Sequence, residues 1–237
     1  MESDINPNKI VIFTGAGISA ESGLKTFRDS NGLWNGFRVE DVATPEAWEA
    51  NPISVLQFYN ERRKEAFDAI PNAAHEAVAK LEEKYEVIVI TQNVDDLHER
   101  GGSTNVIHVH GQLNYARSSK NYSLLYPYDG GKPIEMGDLC EEGSQLRPHI
   151  VWFGEHIHHY EQACKHVMTA GKVLVIGTSL SVYPAAAILD YASSDTEKVI
   201  ITQEIDRKPP GYALLRGNAA TLVPSAVDVW LNEKEVV

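Results

Sequence analysis

Cysteine is nearly absent from this chain: two in 237 residues, Cys140 and Cys164. Such a pair builds no disulfide framework, which excludes the small stapled scaffolds of secreted domains. Long apolar runs are missing too. No stretch approaches the ~20 residues needed to span a bilayer, and the opening M-E-S-D-I-N-P-N-K carries no apolar leader. Basic residues are in deficit, 21 against 33 acidic, for a formal net charge of -12. That balance disfavours nucleic acid or an anionic membrane as a partner. The expectation is a cytoplasmic protein that binds neither, with its oligomeric state open. What is present is ordinary for a globular fold, 43% hydrophobic and 23% charged, enough for one large domain or a core carrying a small module.

The polar chemistry gathers in T-Q-N-V-D-D-L-H-E-R-G-G-S-T-N-V-I-H-V-H-G, residues 91–111. The β-branched run 86–91 before it reads as a buried parallel strand, and its end turns polar at Gln92, Asn93 and Asp95. A second run, 105–109, delivers His110 and Gly111 at its own end. Ligands of open α/β sheets bind outside the carboxyl ends of strands, so both ends are expected on one functional edge.

Residues 9–14, K-I-V-I-F-T, form the expected first strand and run into Gly15-Ala-Gly-Ile-Ser-Ala20. That matches G-x-G-x-x-A, in which glycines let backbone approach a pyrophosphate and a helix N-terminus favours its charge. A plain strand-to-helix turn gives the same pattern. An ordinary dinucleotide fold would then place a strand and an acidic residue roughly 20 residues on. Here a loop-like stretch follows and no β-rich run comes before Glu86, which argues against a nicotinamide dehydrogenase of the usual build.

Thr44-Pro-Glu46, Pro52 and Pro71-Asn72 mark three helix starts. On the second helix Tyr59 and Arg62 are three apart and share a face. Taken alone, the pair reads as an arginine lying along a half-buried ring. The third helix, 73–84, has a small apolar face suited to a sheet. Residues 115–146, rich in tyrosine and glycine, read as an irregular module whose aromatics could form its core. Beyond them, strands are expected at 147–153, 172–176, 198–202 and 221–223, and helices at 161–170, 183–191 and 226–231. The alternation predicts a parallel sheet with crossover helices.

G-A-G-I-S-A-E-S-G at 15–23, T-F-R at 26–28, T-Q-N-V-D at 91–95, H-G at 110–111, V-W-F-G-E at 151–155 and G-T-S at 177–179, in this order, resemble the sirtuins, NAD-dependent protein lysine deacylases, and among them the bacterial-type deacylase and desuccinylase branch. The resemblance implies an α/β Rossmann-like parallel sheet with helices on both faces, its core about 9–30, 75–114 and 147–232. A small module would come from insertions at about 31–74 and 115–146. It implies that NAD is consumed: the acyl-lysine oxygen attacks C1′ of the nicotinamide ribose, nicotinamide leaves, and the acyl group ends on ADP-ribose. Its partners would be acylated lysine side chains of proteins.

Carried onto this chain, the family pattern makes His110, Asn93 and Asp95 the catalytic group. A histidine titrates near neutrality and can take a ribose hydroxyl proton. Gly15, Ala16, Gly17, Ser19, Glu21, Phe27, Arg28 and Trp34 would hold the cofactor with Gln92, Val94, Gly177, Thr178 and Ser179. Thr202, Gln203, Glu204 and Ala219 would lie on its adenosine side. Val151, Phe153, Gly154 and Glu155 would clamp a substrate peptide against Val182 and Tyr183 as an added strand. Y-x-x-R at Tyr59 and Arg62 resembles members that prefer acidic acyl groups, since an arginine fork pairs two-pronged with a carboxylate.

Two departures stand out. Most sirtuins hold zinc with four cysteines, but the module has only Cys140, with Ser118 in place of the first; zinc is not expected. Thr202 stands where asparagine would touch the adenosine ribose. Capturing the same C1′ centre with another nucleophile would give a mono-ADP-ribosyltransferase or NAD hydrolase. A non-catalytic NAD-binding module is the alternative of another class.

Overall fold

The computed structural model describes residues 5–26, 33–34 (backbone only), 37–128, 130–205 and 207–233. In chain order its elements are β1 (Asn6–Thr14), β2 (Leu33–Trp34), β3 (Phe37–Arg38), α1 (Val39–Val42), α2 (Pro45–Ala50), α3 (Pro52–Asp68), α4 (Ala73–Lys80), β4 (Glu86–Thr91), α5 (Leu97–Arg100), β5 (Val106–His108), β6 (Gly111–Ser118), β7 (Leu125–Pro127), β8 (Leu146–Ile150), α6 (Tyr160–Met168), β9 (Ala170–Ile176), β10 (Glu197–Thr202), β11 (Ala213–Arg216) and α7 (Ala219–Asn232).

The main sheet runs β11-β10-β9-β1-β4-β5, parallel throughout. Successive strand residues point to opposite faces, and the apolar runs feed two cores. Ile10, Ile12, Val87, Val89, Leu174 and Ile176 pack under α4 and α7. Val11, Phe13, Ile88, Ile90, Val173 and Val175 pack under α6 and the 3-10 turn Ala185–Tyr191. The expected helix starts hold, with Thr44, Asn51 and Asn72 capping α2, α3 and α4 through their side chains.

Four expectations are corrected. Residues 115–146 are not wholly irregular: β6 extends to Ser118 and pairs antiparallel with β7 and β8. The 147–153 run therefore does not rejoin the parallel sheet; Arg147 lies opposite Arg117 in this small sheet. Residues 221–223 belong to α7, and the last strand is β11. Ala219, Val223, Val227 and Trp230, at helical spacing, bury one face of α7, and that packing outweighs the β-propensity of Thr221 and Val223. The Gly15 loop opens into two 3-10 turns, Ala16–Ile18 and Ala20–Ser22, rather than an α-helix, so it offers close backbone approach without a helix dipole.

The small module packs Leu56, Ala116, Tyr128, Ile134, Cys140 and Leu146 together, with Tyr126 against them. Tyr122 is exposed and contributes a ring face to Arg117 at 4.2 Å. Where the family's metal would sit, the Cys140 thiol lies 3.5 Å from Ser118 Oγ and accepts the Ser144 N–H. Among the described residues no group of three or more His, Cys, Asp or Glu is placed to hold a metal, and this donor set does not fit tetrahedral zinc. No helix of the described residues is long and apolar enough to cross a membrane.

Candidate active site

The carboxyl ends of β1, β4, β9 and β10 open onto one cleft of about 810 Å³, within the size of sites that bury a small ligand. Its floor is a glycine contact. Gly17 N–H donates to Gly177 O at 2.8 Å, and a Cβ on Gly17 would meet Gly177 Cα at 2.7 Å. Gly177 itself has φ +63, in the left-handed region. Only residues without side chains allow the two loops to meet there. Across the sheet Gly111, at φ +82, would put a Cβ 2.0 Å from His149 O, and this close approach turns the chain sharply after His110.

His110 is held by one ring nitrogen, Nδ1, 3.1 Å from the Gln92 carbonyl. A carbonyl only accepts, so Nδ1 carries the proton and Nε2 keeps its lone pair. Burial lowers the affinity of this ring for a second proton, opposed by the Gln92 bond. The ring is therefore neutral at physiological pH, with a free basic nitrogen.

Beside it lies a buried polar chain. Asn93 Nδ2 donates to Ser19 Oγ at 3.1 Å, and Ser19 Oγ donates to Asp95 Oδ2 at 3.2 Å. Leu97 N–H donates to Asp95 Oδ1 at 3.2 Å. Burial pushes the Asp95 carboxyl up to about 6, against the pull of the Leu97 and Ser19 bonds. Behind the loop, His108 Nδ1 lies 3.1 Å from the Asn93 carbonyl, and Thr14 Oγ1 donates to Thr91 Oγ1, tying β1 to β4 at 2.8 Å.

α3 supplies another wall of the cleft. Tyr59 is fully buried, and burial raises its hydroxyl well above the ordinary tyrosine value, opposed by the neighbouring Trp152 side chain. Arg62 Nε and Nη2 each donate to Glu65 at 2.9 Å. Its Nη1 is buried and has no partner among the described residues. Both side chains line the cleft that His110 lines.

The cleft gathers most of the expected site. Gly15, Ala16, Gly17, Ser19, Gln92, Asn93, Val94, Asp95, His110, Gly177, Thr178, Ser179, Thr202, Gln203, Glu204 and Ala219 all border it. So do Tyr59, Arg62, Val151, Phe153, Gly154, Glu155, Val182 and Tyr183. Glu21 is exposed on the second 3-10 turn and is not part of the lining. Phe27 and Arg28, and the side chain of Trp34, lie outside the described residues. Sequence reasoning missed Ala43 and Trp152, which complete the wall beside Tyr59. Trp152 sat inside V-W-F-G-E, but strand alternation would turn it away from Val151 and Phe153. Residues 151–155 are a turn, so all three can face the cleft. Ala43 carries no signal beyond its smallness.

The small and hydroxyl residues at the Gly15, Gly177 and Thr202 end, and the amide, carboxyl and imidazole at the other, suit an elongated ligand with a phosphate centre and a polar head. The Sir2 family model matches residues 15–184. An NAD-dependent protein deacylase of Helicobacter pylori (strain ATCC 700392 / 26695) is 52% identical over 186 residues, 78% of this chain and 80% of its own length. A crystal structure of a Sir2 homolog–NAD complex superposes with a TM-score of 0.83 at 38% identity, covering 93% of this chain and 88% of that one. A Sir2–p53 peptide–NAD+ structure superposes with a TM-score of 0.75 at 28% identity, covering 94% of each chain. The chain belongs to the Sir2 family of NAD-dependent enzymes.

Proposed function

We propose that this chain is an NAD-dependent protein lysine deacylase that removes acetyl groups and also acidic acyl groups of the succinyl and malonyl kind. The observation that carries the acidic-acyl reading is Arg62 Nη1, a buried donor without a partner among the described residues, in the cleft that also holds His110. An unpaired buried donor costs about 1–3 kcal/mol, and an acyl carboxylate would satisfy it with a charge-assisted bond. The Tyr59 hydroxyl, kept protonated by burial, offers a second donor. Ala43 leaves room beside it for a longer acyl chain.

Bound NAD supplies the ADP-ribosyl group that accepts the acyl chain as nicotinamide departs. Gly15 to Gly17 and Gly177 to Ser179 would hold its phosphates by backbone and hydroxyl groups, and Asn93 and Asp95 its ribose and carboxamide. Asn93 is oriented by Ser19 and by His108 at its carbonyl. His110 takes a proton at Nε2 while Nδ1–H stays on Gln92. Val151 to Glu155 and Val182 to Tyr183 border the peptide, with Phe153 and Tyr183 exposed to meet it.

The test incubates the protein with NAD and matched acetyl-, succinyl- and malonyl-lysine peptides, and weighs the products. Free lysine with O-acyl-ADP-ribose is expected for all three. In Arg62→Met, kcat/KM for the succinyl peptide should fall at least about tenfold, as expected for a lost bond to a charged group, while acetyl turnover persists. Undiminished desuccinylation in that variant sinks the acidic-acyl assignment. A peptide that gains ADP-ribose would mean transferase chemistry instead.

A further inference from the structure

The small sheet places Arg117 of β6 directly opposite Arg147 of β8, and both side chains are buried, with 4% and 2% exposure. Like charges directly opposite on neighbouring strands destabilise a sheet, so this pairing needs a reason. The reason is Glu155. Its carboxylate accepts two bonds from Arg117 Nη2 at 3.1 Å, and Arg147 Nη1 and Nη2 at 2.9 and 3.0 Å. It also accepts the Trp152 N–H at 2.8 Å. No acceptor capacity is left for a substrate side chain, so Glu155 can meet a peptide only through its backbone.

The two arginines are not equivalent. Arg147 also donates to Ile150 O at 2.9 Å and lies flat on the Trp152 ring, its guanidinium carbon 3.3 Å from the centroid. Both guanidiniums also face the Tyr122 ring, Arg117 at 4.2 Å and Arg147 at 5.6 Å, but of the two Arg147 alone stacks on Trp152. Trp152 in turn packs against Tyr59 in the same cluster, their ring centroids 6.5 Å apart.

From this sequence of contacts we propose that Arg147, clamped by Glu155, is a positioning residue for acyl-lysine binding: it fixes the Trp152 ring, and through it the Tyr59 wall of the cleft. The small module thereby sets the shape of the acyl end without touching substrate. The proposal rests on the deacylase reading above. Arginine is required for its flat face as well as its charge, because lysine supplies a point charge with no planar surface to stack.

Calorimetric binding to the intact protein tests it, with an acetyl-lysine peptide, its succinyl form and ADP-ribose as probes. Arg147→Lys keeps the charge near Glu155 and loses the stack. Arg117→Lys perturbs the same carboxylate without touching Trp152. The expected result is a tenfold or greater loss of peptide affinity in Arg147→Lys, a loss under threefold in Arg117→Lys, and ADP-ribose affinity within twofold of wild type in both. Equal peptide losses in the two variants would reduce the cluster to a structural staple and overturn the proposal. Unchanged peptide binding in Arg147→Lys would overturn it directly, and so would ADP-ribose affinity falling in step with the peptides. Wild-type protein that binds ADP-ribose but neither peptide would refute the deacylase reading, and this inference with it.

Discussion

In the proposed mechanism Asp95 sets catalysis against stability. Its carboxyl is buried, and burial moves it from an ordinary 3.8 up to about 6 in the folded chain. Between those values the folded state keeps a proton that the unfolded state has released, so stability falls as pH rises through the window. A shift of roughly two units corresponds to about 3 kcal/mol, at about 1.4 kcal/mol per unit, lost in full once pH exceeds 6. Asp95→Asn removes the charge and keeps the shape. Its amide oxygen can accept from Leu97 N–H, and its NH2 can donate to Ser19 Oγ. The variant is expected to be more stable than wild type by about 1–3 kcal/mol at pH 7.5, the advantage closing as pH falls toward 4. Urea unfolding of ligand-free protein from pH 4 to 8, followed by tryptophan fluorescence, measures this directly. A variant less stable at pH 7.5, or a difference that ignores pH, refutes burial as the source of the shift. Turnover should collapse in the same variant, the usual trade at a site strained for function.

His110→Ala is expected to abolish deacylation while leaving ADP-ribose affinity within a few-fold, measured by product mass and calorimetry. Because burial holds the His110 imidazolium below its usual range, kcat/KM should rise with pH and level off below neutrality; an acid limb centred above pH 7 would assign it to another group. Gly17→Ala should destabilise the fold by about 1–3 kcal/mol, as overpacking does, and weaken ADP-ribose binding at least tenfold, since its methyl meets Gly177 backbone at 2.7 Å. A strong zinc chelator should leave melting temperature and turnover unchanged, because Ser118 and Ser144 flank Cys140 where thiolates would be required; a drop in either would reveal a bound metal.

The parallel core was legible because its strands are short β-branched runs buried on both faces, a pattern few other elements share. The strand ends were legible as well: Gln92 to Asp95 and His110 follow such runs directly. Partner choice was not. Residues 150–153, I-V-W-F, are as apolar as a core strand, and only the long-range pairing of Leu146–Ile150 with Gly111–Ser118 assigns the run to the small sheet. Thr221 and Val223 misled for the opposite reason, since local propensity pointed to strand while the spacing of Ala219, Val223, Val227 and Trp230 served a helix.

The site divides along a similar line. The half proposed to hold the cofactor was readable because the backbone demands particular residues: Gly17 and Gly177 approach each other more closely than any side chain permits. The half proposed to take the acyl group was readable only at Tyr59 and Arg62, whose hydroxyl and charge announce a chemistry. The rest of that wall is Ala43, which matters for what it lacks, and Trp152, which matters for where Arg147 and Glu155 hold it. Neither role leaves a mark in a linear sequence. Selectivity among acyl groups is therefore expected to shift with substitutions in the small module that never reach the substrate, whereas the chemistry at His110 should shift only with its own loop.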